Sequence, residues 1–192
     1  SPTICPQGYR KNLCLPAASV ERKIRRQGMS AVAVQHIAGP KRWFGLLGWL
    51  IASFAAAALG AFFMSGAWYD SLNKPSWNPP GWVFGPVWST LYTMMAVAVW
   101  LVWQRGGFSN QRKPLLWFIA QLALNAVWSP LFFGLHRPGI ALGDILLLWG
   151  VIAGTMVAFY PVSRAAMCLL IPYLAWVSFA TVLNFILWKL NP

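Results

Sequence analysis

The chain has 192 residues, of which 58% are hydrophobic and only 9% are charged. Soluble domains carry about 25% charged residues, so the composition excludes an ordinary soluble domain and predicts an integral membrane protein. The net charge of +12 is spread over an amino-terminal tail and short loops, without a nucleic-acid-binding motif. We therefore interpret the charge as a membrane topology signal and expect no nucleic-acid partner.

Residues 1–42 form a basic, polar tail without helical periodicity. Two interpretations of this tail stay open. Either Met29 is the true start, and the residues before it are disordered or not native, or the tail is an organelle-targeting peptide. We favour the first, and in both cases the folded domain is expected to begin at residue 43 and to extend to residue 192.

Five apolar stretches are long enough to cross a bilayer, which requires about 20 residues. They lie at about 43–66, 83–104, 114–134, 139–160 and 165–190. The sequence thus predicts an all-α integral membrane protein, a bundle of five transmembrane helices. In the first of them Ala52, Ala56 and Gly60 recur every four residues, which allows a neighbouring helix to approach closely. This row fits either packing within one chain or a dimer face.

A Trp/Pro-rich loop connects the first two predicted helices. The run from Trp68 to Trp88, WYDSLNKPSWNPPGWVFGPVW, is too interrupted by proline to be a span. Tryptophan favours the bilayer interface, where its ring is in an apolar environment and its N–H is hydrated. We expect residues 68–82 to fold as a lid at the membrane surface, with Asp70 and Lys74 paired by their spacing of four.

Lys and Arg distribute unequally over the two sides that five alternating spans create. Twelve of the fifteen fall on the side of the amino terminus, and starting from Met29 the ratio is still six to three. The positive-inside rule therefore predicts a cytoplasmic amino terminus and a lid on the opposite face.

Polar and aromatic side chains in the predicted spans fall on helical stripes. Such side chains cost free energy in hydrocarbon unless they find partners. The stripes are Trp88 and Tyr92 in the second span, Gln121, Asn125 and Trp128 in the third, and Trp176, Ala180 and Asn184 in the fifth. The amides either hydrogen-bond helix to helix, or together they line a pocket for a large, flat, partly polar ligand.

Asp144 is the only acid in a predicted span, and we expect it to pair with Arg137 or with a polar group of the third helix. Neither His36 nor His136 lies mid-span, so no metal or haem-iron site is expected. The sequence contains no carboxylate pair, no nucleophile with a histidine base and no phosphate-binding glycine loop, which disfavours hydrolysis and phosphoryl transfer.

Four runs in the same order resemble the translocator protein family, TspO/MBR, also called tryptophan-rich sensory proteins. They are WYDSLNKPSWNPPGWVFGPVWSTLY, QLALNAVWSPLFFG, ALGDILLL and PYLAWVSFATVLNFILW, which together cover the chain from about residue 43 to its end. The resemblance implies a five-helix bundle, commonly dimeric, that binds porphyrins such as protoporphyrin IX. In animal members it also implies binding of cholesterol and of isoquinoline and benzodiazepine drugs.

The resemblance also implies which side chains contact the ligand. The matching positions lie beneath a lid that begins at Trp68, and they are Trp88, Tyr92, Asn125, Trp128, Trp176, Ala180 and Leu183. Gln121, Asp144 and Asn184 are then structural polar groups. Some bacterial members are reported to degrade porphyrin in light, and the tryptophans implicated there match Trp88 and Trp176.

Two departures from the animal pattern are present. The sterol-recognition motif of the fifth helix requires a tyrosine, whereas this chain has Phe185 and Ile186, which disfavours sterol binding. A tryptophan expected before the Ala-Leu of the fourth helix is Ile140. Both departures are typical of a bacterial member, so a bacterial cell membrane is the expected location and an organelle membrane is the alternative.

The sequence therefore predicts a membrane receptor, sensor or transporter that binds tetrapyrroles between its helices and acts in tetrapyrrole or stress regulation. No cofactor is expected, and the porphyrin is a ligand. The expected partners are the ligand, the bilayer and a second copy of the chain. The alternatives are a light-dependent porphyrin-degrading enzyme and a lipid or sterol carrier.

Overall fold

The computed structural model describes residues 3–4, 15–16, 37, 39–64 and 67–192. The chain separates into two units, residues 1–35 and 36–192. In the first unit, strand β1 (Thr3–Ile4) pairs antiparallel with β2 (Leu15–Pro16). The predictions made for residues 5–14 and 17–36 of the tail, including Met29 and His36, fall outside the described residues.

The second unit is helical. Its helices are α1 (Pro40–Met64), α2 (Ala67–Ser71), α3 (Gly81–Trp103), α4 (Gly107–Ser129), α5 (Pro138–Phe159), α6 (Arg164–Leu169) and α7 (Ile171–Leu190), and a π-helical turn (Pro130–Gly134) extends α4. In the described part of the chain, five helical stretches are long and apolar enough to cross a membrane. The third combines α4 with the π-helical turn and the fifth combines α6 with α7. The predicted five-helix membrane bundle is confirmed.

One predicted boundary is wrong. The third span was expected to begin at Pro114 after a loop, but α4 begins at Gly107. Gly106 and Gly107 adopt positive φ angles of 113° and 61°, which glycine tolerates without a Cβ clash, so the chain turns directly from α3 into α4. The proline instead marks a kink at Gln111, whose φ and ψ are −118° and 29°, because its ring clashes with the carbonyl four residues earlier. The other span ends lie within three residues of expectation.

The interior of the bundle is filled by side chains of α3, α4, α5 and α7 that are fully buried, among them Met95, Phe118, Leu148 and Tyr173. Large apolar side chains also point outward; Phe62, Trp82 and Val157 are each more than 70% exposed. In a bilayer, acyl chains cover this outer surface. Burial of apolar area therefore does not decide how the helices associate, and close packing and hydrogen bonds do.

Helices α1 and α4 pack in a defined register. The Trp49 ring lies edge-on to Phe118 at 5.6 Å between centroids, and a Cβ at Gly60 would lie 3.1 Å from the Ser129 Oγ. Both pairs are 69 positions apart in the chain, so the two helices run parallel with matched levels. Gly60 therefore packs inside the monomer, which is one of the two interpretations of the small-residue row.

Phe118→Ala should destabilise the bundle. The side chain is fully buried between Trp49 and Phe159, and its loss leaves a cavity that costs about 3–5 kcal/mol. Thermal unfolding in detergent should show a lower midpoint. The control is Phe62→Ala, at a side chain 79% exposed, which should leave the midpoint unchanged; equal midpoints for both variants would contradict the assigned core.

Candidate ligand-binding site

A cavity of about 350 Å³ lies among the helices, with walls from all five spans. Its volume falls in the range of small-molecule sites. The residues that line it are mostly apolar or aromatic, namely Phe54, Ala57, Ala58, Gly60, Ala61, Phe84, Gly85, Trp88, Ser89, Tyr92, Asn125, Trp128, Ser129, Ile145, Leu148, Val177 and Ala180.

Helix α3 places two aromatic rings in the cavity wall. Trp88 and Tyr92 are one turn apart, so they share a face, and their ring centroids are 5.5 Å apart with planes tilted by 33°. The edge of Trp88 also contacts Tyr173 of α7, at 6.4 Å. The two rings thus lie side by side in one wall of the cavity.

The Asn125 side chain connects three spans at the cavity. The Tyr92 hydroxyl of α3 donates a hydrogen bond to Asn125 Oδ1 of α4. Asn125 Nδ2 in turn donates to the Tyr173 hydroxyl of α7, at 3.0 Å. All three residues are at least 94% buried, so their hydrogen bonds satisfy groups that hydrocarbon cannot satisfy.

A second polar link lies at the end of α4. Trp128 Nε1 donates to Asn184 Oδ1 of α7 at 3.1 Å, and Asn184 Nδ2 donates to the Pro138 carbonyl at the start of α5 at 2.8 Å. The Trp128 ring stacks on Phe132 of the π-helical turn, with centroids 5.0 Å apart. The indole is therefore held in one orientation while its other side lines the cavity.

Five of the eight residues predicted to contact ligand meet at this cavity, namely Trp88, Tyr92, Asn125, Trp128 and Ala180. The other three lie elsewhere. Trp68 stacks on His136, with centroids 4.3 Å apart; Trp176 packs against the edge of Phe84, which itself lines the cavity; and Leu183 belongs to a separate apolar cluster with Phe132.

Two of the predicted structural polar groups, Gln121 and Asp144, have buried side-chain atoms without a hydrogen-bond partner among the described residues. Gln121 is fully buried, and within the described residues neither polar atom of its side-chain amide has a hydrogen-bond partner. Asp144 Oδ2 is buried and is likewise without one in that part of the chain. The expected pairing of Asp144 is therefore not made through this oxygen.

The lid is ordered by hydrogen bonds rather than by an ion pair. Asn73 N–H donates to Asn191 Oδ1 at 2.9 Å, and Asn191 Nδ2 donates to the Asn73 carbonyl at 3.1 Å, which fixes the lid to the end of α7. Lys74 donates to the Asp70 carbonyl, at 3.0 Å, rather than to its carboxylate as expected. Burial raises the pKa of Tyr69, opposed by its hydrogen bond to Asn78.

Comparison with known proteins decides the family. Residues 49–189 match the family model of the TspO/MBR family. The chain belongs to this family. The human Translocator protein is 46% identical over 154 residues, covering 78% of this chain and 91% of the human protein. The Tryptophan-rich sensory protein of Cereibacter sphaeroides is 42% identical over 149 residues, covering 78% and 92%. The family resemblance predicted from the motifs is confirmed.

Sequence reasoning missed the part of the TspO/MBR cavity contributed by α1. Phe54, Ala57, Ala58 and Ala61 line one wall. Three of these four residues are alanines, which carry neither a polar nor an aromatic signal in the sequence. The FAAAALGA run could have indicated it, because consecutive small residues leave room beside a helix. Ile145 and Leu148 of α5 were missed for a similar reason, since apolar side chains occur all around that helix.

Asn125→Leu should destabilise this TspO/MBR protein, because it leaves the Tyr92 and Tyr173 hydroxyls buried without their partner. Each such loss costs about 1–3 kcal/mol, and thermal unfolding in detergent measures it. Tyr92→Phe with Asn125→Leu is the informative control: the added change should recover part of the lost stability. A midpoint unaffected by Asn125→Leu would contradict the structural role of the network.

Asn191→Ala should loosen the lid without changing the bundle. It removes both side-chain hydrogen bonds to Asn73, so amide hydrogen exchange in residues 72–80 should accelerate by about tenfold, as expected for loss of about 1.4 kcal/mol. Exchange in α3 and α5 serves as the internal control. Unchanged exchange in the lid would show that the clamp does not order it.

Proposed function

We propose that this protein is a membrane receptor, sensor or transporter that binds tetrapyrroles, such as protoporphyrin IX, in the cavity among its five spans. The observation that carries the proposal is the aromatic wall formed by Trp88, Tyr92 and Trp128. A tetrapyrrole is a large flat aromatic ring system, and its binding free energy comes mainly from burial and offset stacking over its faces.

The polar groups of the cavity limit how such a ligand binds. Both ends of the Asn125 amide are engaged by tyrosines, so this residue has little remaining capacity to donate to a ligand carboxylate. Ser89 and Ser129 also line the cavity and offer hydroxyl groups. The proposal therefore relies on ring contacts for affinity and on few hydrogen bonds for orientation.

Family membership supports a role in sensing or translocation. The relatives named above carry the names Translocator protein and Tryptophan-rich sensory protein, and both cover most of this chain. The same cavity serves a sensor and a transporter, because each must bind the ligand within the membrane. We further propose that the protein works as a homodimer with its amino terminus in the cytoplasm.

Quenching of tryptophan fluorescence by protoporphyrin IX tests the site. Trp88→Ala should weaken binding by about tenfold, equivalent to about 1.4 kcal/mol, because it removes a stacking face of the cavity. Trp176→Ala should weaken it less, since that ring lies behind Phe84. The control is Trp82→Ala, 76% exposed, with unchanged affinity. Equal affinity of the Trp88→Ala and Trp82→Ala proteins would refute the assigned cavity.

The same samples distinguish binding from degradation. A light-dependent porphyrin-degrading activity would also place its ligand beside Trp88, which lines the cavity. Protoporphyrin absorbance should therefore be followed with wild-type and Trp88→Ala protein in light and in the dark. Loss of absorbance that requires both light and Trp88 would favour the porphyrin-degrading activity. Equal bleaching of protoporphyrin with and without protein would exclude that activity.

A further inference from the structure

Two polar side chains, one on α1 and one on α4, are fully buried. Ser53 and Gln121 each have no exposed surface. Within the part of the chain that the structure describes, Ser53 Oγ and both amide atoms of Gln121 have no hydrogen-bond partner. A buried polar group without a hydrogen-bond partner destabilises a folded protein. Ser53 Oγ and the two polar amide atoms of Gln121 therefore require a hydrogen-bond partner that the described side chains do not supply.

Ser53 differs from most hydroxyl-bearing residues of the spans. Those typically donate to the carbonyl four residues earlier in their own helix, as do Ser89, Thr90, Thr93, Thr155, Ser178 and Thr181. Ser53 does not make this bond. Its hydroxyl is therefore available to a group outside its own helix.

The register of α1 and α4 brings Ser53 and Gln121 to the same level. Ser53 lies one turn after Trp49, and Gln121 lies one turn after Phe118, the ring that Trp49 contacts. At the other end, the Gly60 and Ser129 contact keeps the same offset of 69 positions. Spacings of three and four keep these residues on the facing stripes of the two helices.

Residues one turn further along both helices line the cavity. Ala57, four residues after Ser53, and Asn125, four residues after Gln121, both line it. Asn125 cannot serve as the partner of Gln121, because its own amide is bound to Tyr92 and Tyr173. The cavity is therefore the nearest route by which a small polar molecule reaches the pair.

We propose that Ser53 and Gln121 form a binding site for one ordered water molecule beneath the cavity. The water accepts hydrogen bonds from Gln121 Nε2 and from the Ser53 hydroxyl, and it donates one to Oε1 of the same amide, which closes a ring with Gln121. This gives it three hydrogen bonds, the usual number for a buried water. It satisfies all three side-chain atoms and joins α1 to α4.

Nuclear Overhauser effects between water and glutamine side-chain amides test the site in protein labelled with ¹⁵N-glutamine. Gln121→Met assigns the Gln121 amide by its disappearance. We expect a cross peak from this amide at the water frequency with the negative sign of a long-lived water. The Gln111 amide, which donates to the Arg105 carbonyl outside the core, is the reference for exchange with bulk water. Absence of the Gln121 cross peak would overturn the proposal.

Ser53→Ala separates a bound water from the hydroxyl of Ser53, whose proton exchanges with water. The Gln121 cross peak should persist in this variant at reduced intensity, because the ring of two hydrogen bonds remains. Its complete loss would show that the hydroxyl produced the signal and would refute the water site.

A double-mutant cycle measures whether the two residues share one site. Ser53→Ala and Gln121→Met should each lower the unfolding midpoint, and the double variant should lower it by less than the sum of the two shifts, because the apolar pair leaves no orphaned group. Additive shifts would overturn the shared site. The cycle uses no porphyrin, so its result is independent of the proposed ligand.

Discussion

Asn125 holds three of the five spans through one side chain, and the arrangement of the bundle depends on this link. Its amide accepts from Tyr92 of α3 and donates to Tyr173 of α7. In a bilayer, lipid tails cover apolar surface as well as protein does, so apolar contact alone does not select one helix register. A hydrogen bond between buried groups does, because a slip of one residue would leave donor and acceptor unsatisfied in hydrocarbon. Asn184 acts in the same way between α4, α5 and α7.

The same constraint shapes the cavity. Polar groups that hold the helices together are no longer available to a ligand, and the walls that remain are mostly aromatic rings and small apolar side chains, with the hydroxyl groups of Ser89 and Ser129 among them. Such walls favour a ligand with large flat faces over one with many hydrogen-bonding groups. In the described part of the chain, buried polar atoms without a hydrogen-bond partner occur at Ser53 and Gln121, and also at Asp144 and Trp176.

The sequence was sufficient to predict the five spans and part of the site, for local reasons. Residues three or four apart on one helix share a face whatever the tertiary structure, so Trp88 with Tyr92, and Asn125 with Trp128, could be grouped in advance. Packing between helices decides which face of α7 points toward the cavity. Ala180 therefore lines the cavity, while Trp176 and Leu183 do not. The start of α4 could not be placed from Pro114, because the kink at Gln111 lets the helix begin seven residues earlier. A match to a family motif identifies corresponding positions in the sequence, but it does not give the direction in which each side chain points.

Trp176 lies outside the cavity, in a series of aromatic contacts that runs from the lid to the cavity wall. Trp77 of the lid packs edge-on to Phe179, at 5.8 Å between centroids, and Phe179 contacts Trp176, at 5.3 Å. Trp176 in turn contacts Phe84, at 6.0 Å, which lines the cavity. The lid and the cavity wall are therefore joined by consecutive ring contacts. Close-packed rings do not deform independently, so a ligand that displaces Phe84 must also disturb the packing of Trp176 and, through it, the contact that the lid makes with α7.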